Sequence, residues 1–279
     1  MTIAAGFVCP DGIVLAADSE VAYAGSKAPE HKIFSLIKGG AWSIDIAGAG
    51  TMDLVRMMFD DLEFELKPTH DLPALRNKII ERAEYFRDHY IWPSAMPGRA
   101  LLALQLLVSI RMADGQNLLL KVDGSDGALV NRVVFSEFIG VGAEVARPVS
   151  AWVFKPGIKM EVVRQLAEQI VRWTKAQVPG CGGESSIYIL PRKGGVLASG
   201  EMWMDRETEF FWNLNEFLQP ILEGCIDVSM RDDEFEMNID RFAERMREGR
   251  RKSKEERAAR IDSSSPVSRS EVGNPQIVE

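Results

Sequence analysis

Histidine is scarce in this chain: there are three in 279 residues, and His31, His70 and His89 stand in no serine-hydrolase or metal-ligand spacing. A histidine-driven active site and a histidine-rich metal centre are therefore not expected. Cysteine is equally sparse. Cys9, Cys181 and Cys225 are odd in number, far apart and without paired metal spacing, which points to reduced thiols rather than a disulfide framework. No apolar run approaches the ~20 residues that span a bilayer, and the N-terminus lacks the basic start and long apolar stretch of a secretory signal. These absences predict a cytoplasmic protein that does not engage a membrane. The glycine clusters fit neither a dinucleotide fingerprint nor a Walker loop, so no cofactor and no metal are expected.

Charge of one sign is also in short supply where nucleic acid would need it. The formal net charge is -8, which argues against nucleic-acid binding by the chain as a whole. The balance is uneven: between Arg241 and Arg260 nine Arg or Lys face four Glu, a local +5, so the remainder carries -13. An acidic body with a basic tail can pair charges between subunits or with a partner.

What is present is an ordinary globular composition, 46% hydrophobic over 31.1 kDa, sized for one large domain and a tail. We read residues 1–228 as that domain and 229–279 as a charged, partly disordered extension. Thr2–Val8 and Ile13–Asp18 flank the turn residues Pro10-Asp11-Gly12 and predict a hairpin. Lys32–Ile37 and Ala41–Ala47 predict two more strands around Gly39-Gly40, with Gly48-Ala49-Gly50 closing the edge. The period then changes. Met52, Val55, Phe59, Leu62 and Leu66 predict one helix, and Leu72–Tyr90 a second that stops before Pro93.

Strands are expected again at Ala100–Ile110, Asn117–Val122 and Ala128–Ile139. Helices follow at Glu144–Phe154 and Lys159–Ala176, then strands at Ser185–Leu190 and Gly195–Ser199 and a closing helix at Glu207–Leu222. Blocks of strands alternating with pairs of helices suggest stacked sheets with helices outside, not an alternating parallel unit. In the tail, Glu234–Phe242 suits a strand or a short helix, Arg245–Arg260 suits an exposed helix, and the composition of Ile261–Glu279 predicts disorder.

The chemistry lies at the start of the chain. If Met1 is removed, Thr2 carries a hydroxyl nucleophile and a free α-amine on one residue, and an amine with a pKa of roughly 7.7–8.0 can take the hydroxyl proton near neutral pH. No histidine is then needed.

Several features follow in order: Thr2 opening a strand, Asp11-Gly12 at the turn, Ile13 to Ser19, Gly25-Ser26, Lys32-Ile33-Phe34, and Ile46-Ala47-Gly48-Ala49-Gly50 leading into a helix. Together they resemble a proteasome β-type subunit, in the N-terminal-nucleophile (Ntn) hydrolase family that includes the bacterial HslV-type peptidase and related ancestral β-like proteins. The likeness is dense over roughly the first sixty residues, continues in order to about Leu222 and does not cover the tail; it marks a divergent bacterial proteasome-like member.

The resemblance implies an α+β fold, a four-layer αββα sandwich of two antiparallel sheets flanked by helices. It implies Thr2 as nucleophile with its own amine as base, Asp18 paired with Lys32, and the Gly48 amide as oxyanion donor. Lys27 competes for the lysine role, but Lys32 precedes the Ile-Phe of a strand as the family lysine does. Ser19 and Cys181 would support the site. Val21, Glu30, Ile46 and Gly50 would line a substrate pocket, mainly apolar with one acidic wall. The implied activity is a threonine peptidase that hydrolyses peptides or unfolded protein inside a homo-oligomeric ring, with an ATPase unfoldase as a partner.

The chain also departs from the pattern. Gly140-Val141-Gly142 lacks the family serine, Val178 lies near an expected Asp, Cys181 replaces another serine, and Glu20 stands where an arginine is common. These departures keep open a non-catalytic scaffold of the same fold, and the shared nucleophile chemistry keeps open a small-molecule amidase.

Overall fold

The computed structural model describes residues 2–23, 26–38, 40–95, 102–124, 129–193, 197–199, 221, 225 and 230–263. The chain divides into two compact units, Met1–Trp203 and Met204–Glu279. The first unit holds two five-stranded antiparallel sheets. Sheet I contains β1 (Ala4–Cys9) and β2 (Gly12–Asp18), together with β10 (Ser136–Ile139), β11 (Ser185–Pro191) and β12 (Leu197–Ser199), in the order β10-β1-β2-β11-β12. Sheet II runs β5-β6-β7-β8-β9, from β5 (Ile33–Lys38) and β6 (Trp42–Gly50) through β7 (Leu104–Met112) and β8 (Asn117–Asp123) to β9 (Val130–Arg132). A separate hairpin, β3 (Glu20–Tyr23) with β4 (Ser26–Pro29), stands between the first strand pair and the second.

Alternation along each strand decides what the layers bury. Ala4, Ile13, Leu15 and Ala17 of sheet I meet Ala47, Ala49, Leu107 and Leu119 of sheet II, so the two sheets pack face to face. The outer face of sheet II carries Ile44, Ile46, Leu106, Val108 and Leu120. It is covered by α1 (Met52–Glu65), through Val55, Met58 and Leu62, and by α2 (Leu72–Phe86), through Leu75, Ile79 and Ala83. Asp71 caps α2 by accepting from the Ala74 amide at 2.8 Å. On sheet I's outer face α5 (Met160–Gln177) buries Val163, Ala167, Ile170 and Val171, a helical stripe, alongside α4 (Ala143–Val153). Phe7 fills this layer edge-on to Phe138 and Phe154, with ring centroids 5.6 and 5.3 Å away. The unit is thus a four-layer αββα sandwich, as expected.

Three local readings need correction. Ala128–Ile139 is not one strand: Val130–Arg132 belongs to sheet II and Ser136–Ile139 to sheet I, so the chain crosses between sheets at Val133–Phe135. The crossing is pinned at both ends, by Val133 N–H to Leu119 O at 2.9 Å and Val8 N–H to Phe135 O at 2.7 Å. The second helix does not stop before Pro93. It widens into a π-type turn at Arg87–Ile91, where Trp92 N–H reaches back to Arg87 O, and α3 (Trp92–Ser94) takes Pro93 in its first turn, where a missing N–H is tolerated. Gly48-Ala49-Gly50 lies inside β6 rather than closing the sheet.

In the second unit one helix, Asp232–Ser263, replaces the strand-or-helix ambiguity at Glu234–Phe242 and the separate segment at Arg245–Arg260. The closing helix expected at Glu207–Leu222 lies almost wholly outside the described residues, as does most of the Ile261–Glu279 segment. Among the described residues no helix is long and apolar enough to cross a membrane.

Candidate active site

The β1–β2 register sets Ala4 opposite Ala17, which brings Thr2, just before β1, beside Asp18 at the end of β2. Asp18 N–H donates to Ile3 O at 3.1 Å, and Ile3 N–H returns a bond to Asp18 Oδ1 at 3.1 Å. Lys32 arrives from the other sheet, one residue before β5, held by Gly48 N–H to its carbonyl at 2.9 Å. Its ammonium has three protons and finds three acceptors: Thr2 Oγ1 at 2.7 Å, Asp18 Oδ1 at 2.8 Å and Glu20 O at 2.6 Å. Thr2, Asp18 and Lys32 are each at most 3% exposed. A cation and a carboxylate so deeply buried are tolerable only as a pair with their remaining bonding capacity met. Gly182 N–H meets that need on the second carboxylate oxygen, Oδ2, at 2.9 Å.

The lysine that sequence left in competition is elsewhere. Lys27 has a 62% exposed side chain paired with Glu20 Oε1 at 2.6 Å. Ser19 Oγ accepts from Glu184 N–H at 2.8 Å and so ties the 182–184 loop to the end of β2. Cys181 is buried beside Gly142, and its thiol is pushed up to about 11, first by burial and then by Asp18, against a smaller opposing effect of Lys32. It is a protonated thiol near neutral pH, not a second nucleophile. Val141 is 49% exposed and brings no group to Thr2.

Gly48 is held differently from the expected oxyanion donor. Its amide is engaged by Lys32 O, and a Cβ there would press into Val55 of α1. Of the expected pocket residues, Val21 and Ile46 are buried in the core layer under α1. Gly50 is exposed at a φ of 102°, against the Ala103 carbonyl. Glu30 is ion-paired with Arg56 of α1, which also lies 3.7 Å from Asp53, so the acidic wall is a neutralised one.

Sequence reading missed the backbone that seats Thr2. Gly140 has a φ of 84°, and a Cβ there would press into Thr2 O. Gly140 N–H donates to Gln105 Oε1 at 2.9 Å, and Gly142 N–H donates to Thr2 O at 3.2 Å. The Gly140-Val141-Gly142 run was visible, but only the β1–β10 pairing, Ala4 opposite Ile139, shows that it lies under the nucleophile. Among the described residues no group of three or more His, Cys, Asp or Glu could hold a metal ion.

No family model matches the chain, and no curated protein resembles it in sequence. Its fold does match solved structures of Anbu, the ancestral beta-subunit. The protein from Yersinia bercovieri aligns with a TM-score of 0.63 at 14% identity, over 78% of this chain and 97% of that one. A Gly-1 mutant of Anbu from Hyphomicrobium sp. strain MC1 gives 0.64 at 14% identity, over 83% and 100%. Anbu from Pseudomonas aeruginosa, solved as a helical assembly of the Anbu complex, gives 0.65 at 15% identity, over 78% and 95%. The assignment to the proteasome β-subunit and HslV-type group is thereby corrected: these neighbours are proteasome-like but a distinct family. At such identities the likeness establishes the fold, which is that of the Anbu proteins.

Proposed function

We propose that the chain is an N-terminal-nucleophile hydrolase that cleaves peptide bonds with Thr2 after Met1 is removed. The observation that carries the proposal is the 2.7 Å bond from the Lys32 ammonium to Thr2 Oγ1, with Asp18 beside it. A cation donating to the hydroxyl oxygen lowers that oxygen's proton affinity, and the Thr2 α-amine, two bonds from Cβ on the same residue, is the base. Oγ1 attacks the carbonyl carbon as its proton passes to the amine. The tetrahedral intermediate collapses to an ester on Thr2, and the leaving amine takes that proton. Water, deprotonated by the same amine, hydrolyses the ester and restores the site.

The developing oxyanion calls for an amide that is not already bonded. Gly48 N–H is held by Lys32 O, and Gly50 pairs with Leu104, whose own carbonyl points to the opposite strand, accepting from Gly124 N–H. Strand amides alternate in direction, so Gly50 N–H, two residues beyond Gly48's, points to the same side, past the start of β5. It is the donor we assign.

Homo-oligomeric assembly with unfolded or short peptides as substrates is part of the proposal, supported by the helical assembly of the Pseudomonas protein of this fold. A non-catalytic scaffold is the second reading, favoured by the exposed Val141 and the protonated Cys181, neither of which brings a hydroxyl to Thr2. Intact mass, hydrolysis of fluorogenic peptides and labelling by a threonine-directed electrophile decide between them. We expect loss of Met1, label on Thr2, and turnover abolished in Thr2→Ala; retained Met1, or equal rates in Thr2→Ala, would sink the hydrolase reading.

A further inference from the structure

Gln105 stands in β7, opposite Ala49 of β6 on one side and Asp123 of β8 on the other. Alternation along β7 places it on the face that carries Leu107, the face that meets sheet I. Its amide makes two bonds of opposite sense. Oε1 accepts from Gly140 N–H at 2.9 Å, and Nε2 donates to Asp123 Oδ2 at 2.8 Å. Asp123 is buried, and the same Oδ2 lies 3.5 Å from the Lys121 ammonium.

These partners dictate the chemistry of the group between them. A backbone N–H only donates and a carboxylate only accepts, so the side chain at 105 must accept on one side and donate on the other, as an amide does. A carboxylate there would repel Asp123. An aliphatic side chain would leave Gly140 N–H and the buried Asp123 each short of a bond. Gly140 opens the turn, closed by Ala143 N–H to Gly140 O at 3.1 Å, from which Gly142 N–H holds Thr2 O. The Gln105 bond therefore ties that turn, at the end of a sheet I strand, to sheet II.

We propose that Gln105, held by Asp123, is a positioning residue that fixes the Gly140–Gly142 turn beneath the Thr2 carbonyl and through it the aim of the Thr2 hydroxyl. The carbonyl, the α-amine and Cβ of Thr2 share one Cα, so a carbonyl that turns carries the amine and Oγ1 with it, away from Lys32. Gln105 acts through Gly140 and not on the reacting atoms. Its effect on turnover rests on the hydrolase reading above, whereas its hold on the turn does not.

The test compares the full-length wild type with Gln105→Leu, Gln105→Glu and the exchange variant Gln105→Glu/Asp123→Asn. Amide hydrogen exchange at Gly140 and Gly142 reads the turn whether or not the chain is active, and a fluorogenic peptide reads kcat and KM. Each single variant should speed that exchange about tenfold and lower kcat at least about tenfold, with KM kept within about twofold. In the exchange variant the new carboxylate accepts from Gly140 N–H and from the new amide at 123, and Lys121 still faces a carboxylate. Exchange and kcat should then return to within about threefold of wild type, a rescue that a loss of general stability would not give. The proposal is overturned if Gly142 exchange is unchanged in Gln105→Leu, if an active chain keeps its kcat in that variant, or if the exchange variant is no better than Gln105→Glu. Should Gln105→Leu fail to fold by circular dichroism, the last comparison decides. Faster exchange with rescue, in a wild type that turns nothing over, would support the hold on the turn and sink the hydrolase reading alone.

Discussion

Removing the Lys32 ammonium is the sharpest perturbation of the site, because one group there is asked both to neutralise a buried carboxylate and to touch the nucleophile. In Lys32→Met a side chain of similar length replaces it, and Asp18, 1% exposed, keeps the Ile3 and Gly182 amides but loses its counter-ion. Stranding one member of a buried pair costs about 3–5 kcal/mol. For a unit of roughly 200 residues that corresponds to a fall in Tm of about 6–20 °C, at about 2–4 °C per kcal/mol. The double variant Lys32→Met/Asp18→Asn removes the stranded charge while an amide oxygen can still accept from Ile3 N–H. It should be more stable than Lys32→Met alone by on the order of 1–3 kcal/mol, a coupling typical of contacting partners. Urea unfolding of wild type, both single variants and the double variant measures the cycle. Peptide hydrolysis should be lost in Lys32→Met and stay lost in the more stable double variant, which separates catalysis from folding. A cost below about 1 kcal/mol for Lys32→Met, or strict additivity in the cycle, would refute the buried-pair argument.

Other perturbations test neighbouring parts of the molecule. Gly140→Ala forces a side chain onto a φ of 84° and into Thr2 O; it should cost about 1–3 kcal/mol and lower kcat on the order of a hundredfold, and wild-type kinetics would contradict the seating role. Burial holds the Cys9 and Cys181 thiols up at about 12 and 11, so at pH 8 a thiol reagent should count one reactive cysteine, the exposed Cys225, in the native chain and all three in denaturant. Burial also raises the Asp45 carboxyl, outweighing its bonds to Ser35 and Arg111. A carboxyl raised on folding contributes stability that is full below its unfolded value of about 3.9 and is lost as pH rises through the folded value. The stability of Asp45→Asn relative to wild type should therefore climb from about pH 4 towards neutrality, and a flat difference would show that Asp45 does not titrate this way.

Much of the site could be read without coordinates because its pieces are local in sequence or carry distinctive chemistry. Thr2, Asp18 and Lys32 sit at strand ends bounded by clear turn and period signals, and the structure brings them within one set of hydrogen bonds. The layer order followed from helical and alternating apolar spacing. What failed was non-local. Nothing in Ala128–Ile139 distinguishes one strand from two, since Val130–Arg132 and Ser136–Ile139 differ in which sheet they join, and that choice is made by their partners. The π-type turn before Pro93 and the Glu30–Arg56 ion pair likewise depend on distant geometry.

The misread segment is also the one that completes the site. Because the chain leaves sheet II at Val133 and joins β1 through Ile139, Gly140 emerges directly beneath Thr2 O. Its positive φ turns the following residues so that Gly142 N–H returns to the same carbonyl while the Val141 side chain faces outward. In this chain the Thr2 carbonyl is therefore gripped by backbone, through the Gly142 amide. Backbone positioning of that kind needs no hydroxyl at Val141 or Cys181, and it stands beside a fully bonded Thr2–Lys32–Asp18 arrangement. Stability alone does not call for a buried ammonium against a threonine hydroxyl, since an apolar pair of the same volume is often as stable or more so, and the proposed hydrolase reading gives that ammonium a task.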